Sequence, residues 1–176
     1  MVGLSRAQLL GGLAASAIVA PLGLRPAGAA ARADSGDVAL LNTAAGLERA
    51  AIKMYGDAVA AQLVSVNVAT VTNQFSNDHT AQLAALVALL QQDGETPSSD
   101  TTVLQTPAMK TEADFLAFAL STERQLASSY LAAVPQFKNR DLAKTAASIL
   151  GVDTAHVAVL SEALRQYPPY PGGFVS

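Results

Sequence analysis

The chain has 176 residues, of which 51% are hydrophobic and 14% charged, with a net charge of −3. This composition is typical of one globular domain, and abundant alanine with only 5% aromatic residues favours packed helices over a β-sandwich. Cysteine is absent, which excludes disulfides, zinc–thiolate sites, iron–sulfur clusters and thiol nucleophiles.

Residues 1–33 have the pattern of a signal peptide. Arg6 precedes an apolar run over 9–24 that Pro21 interrupts, and small residues in 27–33 offer a small-x-small cleavage site. The run is short for a membrane span. We therefore expect export to the periplasm, the cell envelope or the exterior, with an uncleaved membrane anchor as the alternative.

The net charge of the exported domain limits the kinds of partner that it can bind. Cleavage after residue 33 would remove three of the eleven basic residues and none of the fourteen acidic ones, leaving domain 34–176 with a net charge of about −6. Such a domain is a poor partner for nucleic acid or an anionic membrane surface. Small ligands, metal ions and self-association into a homo-oligomer stay open.

Apolar side chains at helical spacing predict four helices. The expected ranges are about 34–63, 69–92, 111–133 and 139–166. The valines of 64–68 alternate with polar residues, which would also suit a short strand. The tail 167–176 is rich in Pro, Tyr and Gly and cannot form a regular helix.

One long loop, residues 93–110, separates the second helix from the third. It is rich in Gly, Pro, Ser, Thr and Asp, with Pro97 and Pro107 as helix breakers. A bundle with one long connection between its halves lets the second helix cross over to the third. We call residues 93–110 the crossover loop.

The two halves of the chain repeat a short motif. Glu48-Arg49 is followed by Tyr55 seven residues after the glutamate, and Glu123-Arg124 is followed by Tyr130 at the same spacing. Two helical turns bring residues i and i+7 to one face, so each glutamate lies on an apolar helix face with its tyrosine. An ionised carboxylate in such a place needs a compensating partner.

The only two histidines of the chain continue the repeat. His79 lies 31 residues after Glu48, and His156 lies 33 residues after Glu123. Each half is therefore predicted to be a helix pair with a glutamate on its first helix and a histidine on its second. Together they form a four-helix bundle with two carboxylates and two imidazoles pointing inward.

This constellation matches the ligand scheme of carboxylate-bridged di-metal bundles. There, two helices each give a Glu and the other two each give Glu-x-x-His. The inward residues follow that order: Glu48, His79, Glu123 and His156. Asp153 lies three residues before His156, but Ser76 stands at the corresponding position before His79, and serine is a poor ligand at neutral pH.

These residues resemble the ferritin-like superfamily. More closely, the segment 37–42, followed by Leu47-Glu48 and Tyr55, is similar to exported ferritin-like domain proteins related to plant desiccation-related proteins. The resemblance covers about 37–165. It implies an all-α, ferritin-like four-helix bundle with a long crossover between helices 2 and 3, preceded by the signal peptide.

The resemblance also implies one or two metal ions, with oxidation of ferrous iron or reduction of peroxide as the chemistry. Oxygen and imidazole ligands without thiolates favour iron or manganese. The expected ligands are Glu48, His79, Glu123, Asp153 and His156.

A metal-free protein is the alternative. In it, Glu48–His79 and Glu123–His156 form buried pairs, and the bundle acts as a structural or stress- and desiccation-associated protein of the cell envelope. Ser76 favours this alternative. The chain has no glycine-rich phosphate loop and no Gly-x-Ser-x-Gly elbow, and whether the protein is an enzyme stays open.

Overall fold

The computed structural model describes residues 33–169, so residues 1–32 of the predicted signal peptide and the end of the tail, 170–176, lie outside the described residues. The elements are α1 (Ser35–Ala60), α2 (Val66–Gln92), α3 (Glu112–Ala133), a 3-10 turn (Val134–Gln136) and α4 (Arg140–Ala163). The predicted all-α four-helix bundle is confirmed, and 33–169 contain no strand. No helix in this range is both long and apolar enough to cross a membrane.

Side-chain caps set where three of the helices begin. At α4, the Asn139 side chain accepts a hydrogen bond from the backbone N–H of Asp141 at 2.9 Å. Asp34 caps α1, its Oδ1 accepting a hydrogen bond from the backbone N–H of Asp37 at 2.9 Å. Thr111 and Asp114 form a capping box at the start of α3, each side chain accepting from the other residue's backbone N–H. These bonds satisfy N–H groups that have no partner within the helix.

Three helix boundaries differ from the expected ones. α1 ends at Ala60 rather than at 63, because Gln62 adopts a left-handed backbone conformation with φ of 54°. α2 begins at Val66 rather than Ala69, because Ser65 takes the N-cap position and the alternating segment 64–68 enters the first helical turn instead of forming a strand. α4 ends at Ala163 rather than at 166, because Arg165 adopts a left-handed backbone conformation with φ of 56°. A residue in that region ends a right-handed helix.

The bundle has apolar ends and a polar middle. α1 packs mainly along α2 and α3 along α4, while α1 also contacts α3. One apolar cluster, which includes Phe75 and Phe115, fills one end of the interior, and a second, which includes Leu41 and Leu90, fills the other. The buried side chains of Glu48, His79, Glu123, Asp153 and His156 lie between the two clusters.

The crossover loop is fastened to α1. The Arg49 guanidinium donates to the backbone carbonyls of Ser98 at 2.6 Å and Asp100 at 2.9 Å. The N–H of Thr102 donates to the carbonyl of Gly46 at 3.0 Å. A Cβ on Gly46 would lie only 3.2 Å from the Thr102 hydroxyl, so glycine permits this close approach.

Replacing Arg49 should loosen the crossover loop. In Arg49→Ala both charge-assisted bonds are lost, so we expect thermolysin to cleave within 93–110 several-fold faster and stability to fall by about 1–2 kcal/mol. Arg124→Ala is the matched control, because Arg124 has the same place in the repeat but donates to Gln166 instead. Equal rates of loop cleavage in both variants would show that Arg49 does not hold the loop.

Candidate metal centre

A buried polar cluster lies midway along the bundle, and each helix contributes to it. Glu48 lies near the middle of α1, His79 of α2 and Glu123 of α3, while Asp153 and His156 lie three residues apart on α4. All five are at most 3% exposed. The structure thus brings all five predicted site residues together in one place.

Glu123 is the centre of the cluster. Its Oε1 lies 3.1 Å from His79 Nε2, and its Oε2 lies 3.4 Å from His156 Nδ1. One carboxylate of α3 therefore connects the imidazoles of α2 and α4. The Phe75 ring stacks on the His156 ring, with ring centroids 3.9 Å apart. This contact restricts the orientation of the imidazole.

Each imidazole has a second carboxylate on its other nitrogen. Glu48 Oε2 lies 2.7 Å from His79 Nδ1, and Asp78 Oδ2 lies 3.2 Å from His156 Nε2. Asp78 was not among the predicted site residues, because it is turned about 100° from His79 around α2. It contacts His156 of α4 instead. A contact between two helices cannot be predicted from residue spacing within one helix.

The two tyrosines of the repeat hold the glutamates crosswise. The Tyr55 hydroxyl donates to Glu123 Oε1 at 2.5 Å, and the Tyr130 hydroxyl donates to Glu48. Each tyrosine thus reaches the glutamate of the other half. A residue seven positions away lies about 10 Å along its own helix, too far for a bond to its own glutamate. Burial, and then the neighbouring carboxylate, raise the pKa of both phenols, which keeps them protonated as donors.

Asp153 is incompletely satisfied. Gln82 Nε2 lies 3.5 Å from Asp153 Oδ1, while Asp153 Oδ2 and Gln82 Oε1 are buried without a hydrogen-bond partner among the described residues. An unsatisfied buried polar atom costs about 1–3 kcal/mol, so these oxygens indicate a missing partner. Gln82 was also not among the predicted site residues. A polar residue three positions after His79 on an apolar helix face could have indicated that it lies near the cluster.

Four of the side chains fit a metal ion. His79, Glu123, Asp153 and His156 each offer a ligand atom, and these atoms all lie within 4.8 Å of one another. Bonds of about 2.1 Å place ligands on opposite sides of an ion about 4.2 Å apart, so little contraction is needed. Glu48, the fifth predicted ligand, adjoins this group through His79.

Comparison with known proteins agrees with the four-helix fold. Residues 36–166 match the family model described as "Ferritin-like domain". The chain belongs to this family. No curated protein matches the chain.

Two solved structures share the ferritin-like fold. A conserved hypothetical protein from Mycobacterium tuberculosis superposes with a TM-score of 0.67 at 22% identity, covering 76% of this chain and 94% of its own. Ferritin-like, diiron-carboxylate proteins from Bacillus anthracis superpose with a TM-score of 0.62 at 19% identity, covering 73% and 94%. At these identities the likeness establishes the fold.

The charges within this buried cluster compensate one another. Burial lowers the pKa of each imidazole, but hydrogen bonds to carboxylates outweigh burial and raise the pKa of His79 to about 11 and that of His156 to about 9. Burial raises the pKa of Glu123, but its bonds to His156 and His79 lower it to about 2. Burial, and then the negative charges of Glu123 and Glu48, raise the pKa of Asp153 well above its usual range.

At neutral pH, the metal-free protein therefore holds an ionised Glu123 between two imidazolium groups. Metal ions bind neutral imidazole and ionised carboxylate, so binding here must release protons. The protons and the ion compete for the same atoms.

The metal-free protein should lose stability in mild alkali. His79 and His156 have pKa values near 6.5 when unfolded and about 11 and 9 when folded. Their pairing is fully stabilising below pH 6.5 and is lost as pH rises through the two folded values. We expect the urea midpoint of chelator-treated protein to fall from pH 6.5 to 9, and more gradually to 11. His156→Gln should make the fall between pH 6.5 and 9 shallower, and a level or rising midpoint would contradict these pKa values.

Proposed function

We propose that this protein is an exported ferritin-like protein that binds iron or manganese in the middle of its bundle. The observation that carries the proposal is the buried oxygen of Asp153 that has no hydrogen-bond partner within 33–169, next to two imidazoles and a second carboxylate within 4.8 Å. A closed structural network would leave no such oxygen without a partner. Two imidazoles and two carboxylates, with no thiolate in the chain, form a donor set suited to these metals.

Residues of the chain would bind the ion, orient its ligands and shield the site from water. His79 and His156 would offer the imidazole nitrogens that face Glu123, while Glu123 and Asp153 would supply carboxylate oxygens. Tyr55 holds one oxygen of Glu123 through its hydroxyl, which fixes the direction of that carboxylate. Since the cluster is buried between two apolar layers, bulk water has little access to it.

When bound, iron or manganese would supply redox chemistry, and we propose oxidation of ferrous iron or reduction of peroxide. Two observations support iron. The donor set contains the oxygen and nitrogen ligands that iron accepts, and the structurally similar proteins from B. anthracis are described as diiron-carboxylate proteins.

A metal-free structural protein is the second candidate. It is favoured by the short contact between Glu48 and His79, 2.7 Å, which satisfies both groups without an ion. Ser76 in place of a carboxylate favours it as well. In this case the bundle would act as a stress-associated protein of the cell envelope, a role suggested only by the resemblance of residues 37–42, Leu47-Glu48 and Tyr55 to desiccation-related proteins.

Metal analysis distinguishes the two candidates. Protein isolated without chelator from iron- and manganese-supplemented cells should contain about one equivalent of iron or manganese per chain or more, and Glu123→Gln should lose it. Glu95→Gln, an exposed change far from the cluster in sequence, is the control and should keep it. Less than about a tenth of an equivalent in folded protein would favour the structural candidate. Zinc alone would keep the site but contradict the choice of metal.

Export is proposed from the sequence pattern of residues 1–33. Full-length protein expressed in a bacterial host should be recovered outside the cytoplasm with a new N-terminus between residues 28 and 34, because a signal peptidase cleaves after small residues. A version lacking 1–33 is the control and should stay in the cytoplasm. An exported chain that keeps Met1 would support the membrane anchor instead, and an intact chain in the cytoplasm would contradict export.

A further inference from the structure

Four of the donor side chains of the centre form one group, whose ligand atoms lie within 4.8 Å of one another. We propose that it holds a single ion, bound by His79 Nε2, His156 Nδ1, Glu123 and Asp153, while Glu48 and Asp78 orient the two imidazoles from outside. This inference rests on the proposed function and deepens it. Within 33–169, these four side chains are the only group of three or more His, Cys, Asp or Glu residues whose ligand atoms lie this close together.

Glu48 is already engaged through both of its oxygens. Oε2 lies 2.7 Å from His79 Nδ1, and Oε1 accepts the hydroxyl of Tyr130. Glu123 is bonded through both oxygens as well, but it belongs with His79 and His156 to the group whose ligand atoms lie within 4.8 Å of one another, and Glu48 does not. A carboxylate on the outer nitrogen of a ligating imidazole instead fixes the ring and makes its inner nitrogen more basic.

Asp78 has the same relation to His156. Its Oδ2 lies 3.2 Å from His156 Nε2, while His156 Nδ1 faces Glu123 at 3.4 Å. Both imidazoles therefore direct one nitrogen to Glu123 and the other to a further carboxylate. The two outer carboxylates lie on α1 and α2, which are not equivalent helices of the repeat. The repeat in the sequence therefore does not explain why both imidazoles have an outer carboxylate.

A second ion would lack ligands. The place that a carboxylate should occupy before His79 is taken by Ser76, which is only partly buried and offers a hydroxyl. Across from Asp153 lies the amide of Gln82, which carries no charge.

Titration with Mn²⁺ tests the stoichiometry directly. Chelator-treated protein should bind one equivalent, and its electron paramagnetic resonance spectrum should show the hyperfine pattern of an isolated Mn²⁺. Two equivalents with a magnetically coupled spectrum would overturn the single-ion inference and leave the proposed metal binding intact. Absence of bound Mn²⁺, together with absence of bound Fe²⁺ under anaerobic conditions, would overturn both.

Glutamine variants at equivalent positions of the repeat test the roles. In Glu48→Gln the amide oxygen can still accept the N–H of His79, so the stoichiometry should stay at one and the dissociation constant should rise by less than about tenfold. Glu48→Ala should weaken binding by about 10–100-fold, as measured for such outer partners elsewhere. Glu123→Gln removes a ligand and should weaken binding further still. Equal loss of Mn²⁺ in Glu48→Gln and Glu123→Gln would show that Glu48 is a ligand.

Asp78 provides a second test should the Glu48 variants fail to fold. Its side chain is 15% exposed, so substitution disturbs the core less. Asp78→Asn should keep one equivalent of Mn²⁺ with nearly unchanged affinity, and Asp78→Ala should weaken binding by about 10–100-fold. Unchanged affinity in Asp78→Ala would overturn the orienting role, and loss of Mn²⁺ in Asp78→Asn would show that Asp78 is a ligand.

Discussion

The interior of this bundle depends on one buried carboxylate. Glu123 is fully buried and has both oxygens bonded, to His79 and Tyr55 on one side and to His156 on the other. An unpaired charge in this place would cost several kcal/mol, so the surrounding helices must deliver its partners. Each of the other three helices supplies one of them, which fixes how α1, α2 and α4 are aligned on α3. The apolar clusters at the two ends can then pack around a polar middle of defined geometry.

Much of this arrangement could be predicted from the internal repeat. Glu48 and Glu123 lie on apolar faces at equivalent places, and both histidines follow at similar distances, which is enough to predict the bundle and its inward residues. The contacts between helices could not be predicted. Asp78 faces away from its own histidine and reaches the histidine of another helix, a relation that depends on how α2 and α4 pack. The crossed tyrosine bonds have the same origin, because spacing within one helix says nothing of the neighbour.

Two local features show how packing overrides sequence pattern. The valines near 66 alternate as in a strand, yet Ser65 begins a helix there because Val68 joins the apolar core. Arg49 follows the buried Glu48, and its guanidinium holds the crossover loop instead of lying free in solvent. In both places, contacts with distant parts of the chain determine the structure, and the local sequence pattern does not reveal them.

A single-ion centre would restrict the chemistry open to this member of the ferritin-like family. One ferrous ion supplies one electron, while the reduction of peroxide to water consumes two. A one-ion centre would therefore need a second electron donor to reduce peroxide, and an electron acceptor such as dioxygen to oxidise ferrous iron. The most direct measurement is an anomalous difference map of crystals grown with Mn²⁺ or Fe²⁺, recorded at the absorption edge of the metal. We predict one peak per chain, enclosed by His79, Glu123, Asp153 and His156. A bundle interior without a peak, in crystals that carry the metal elsewhere, would contradict the account.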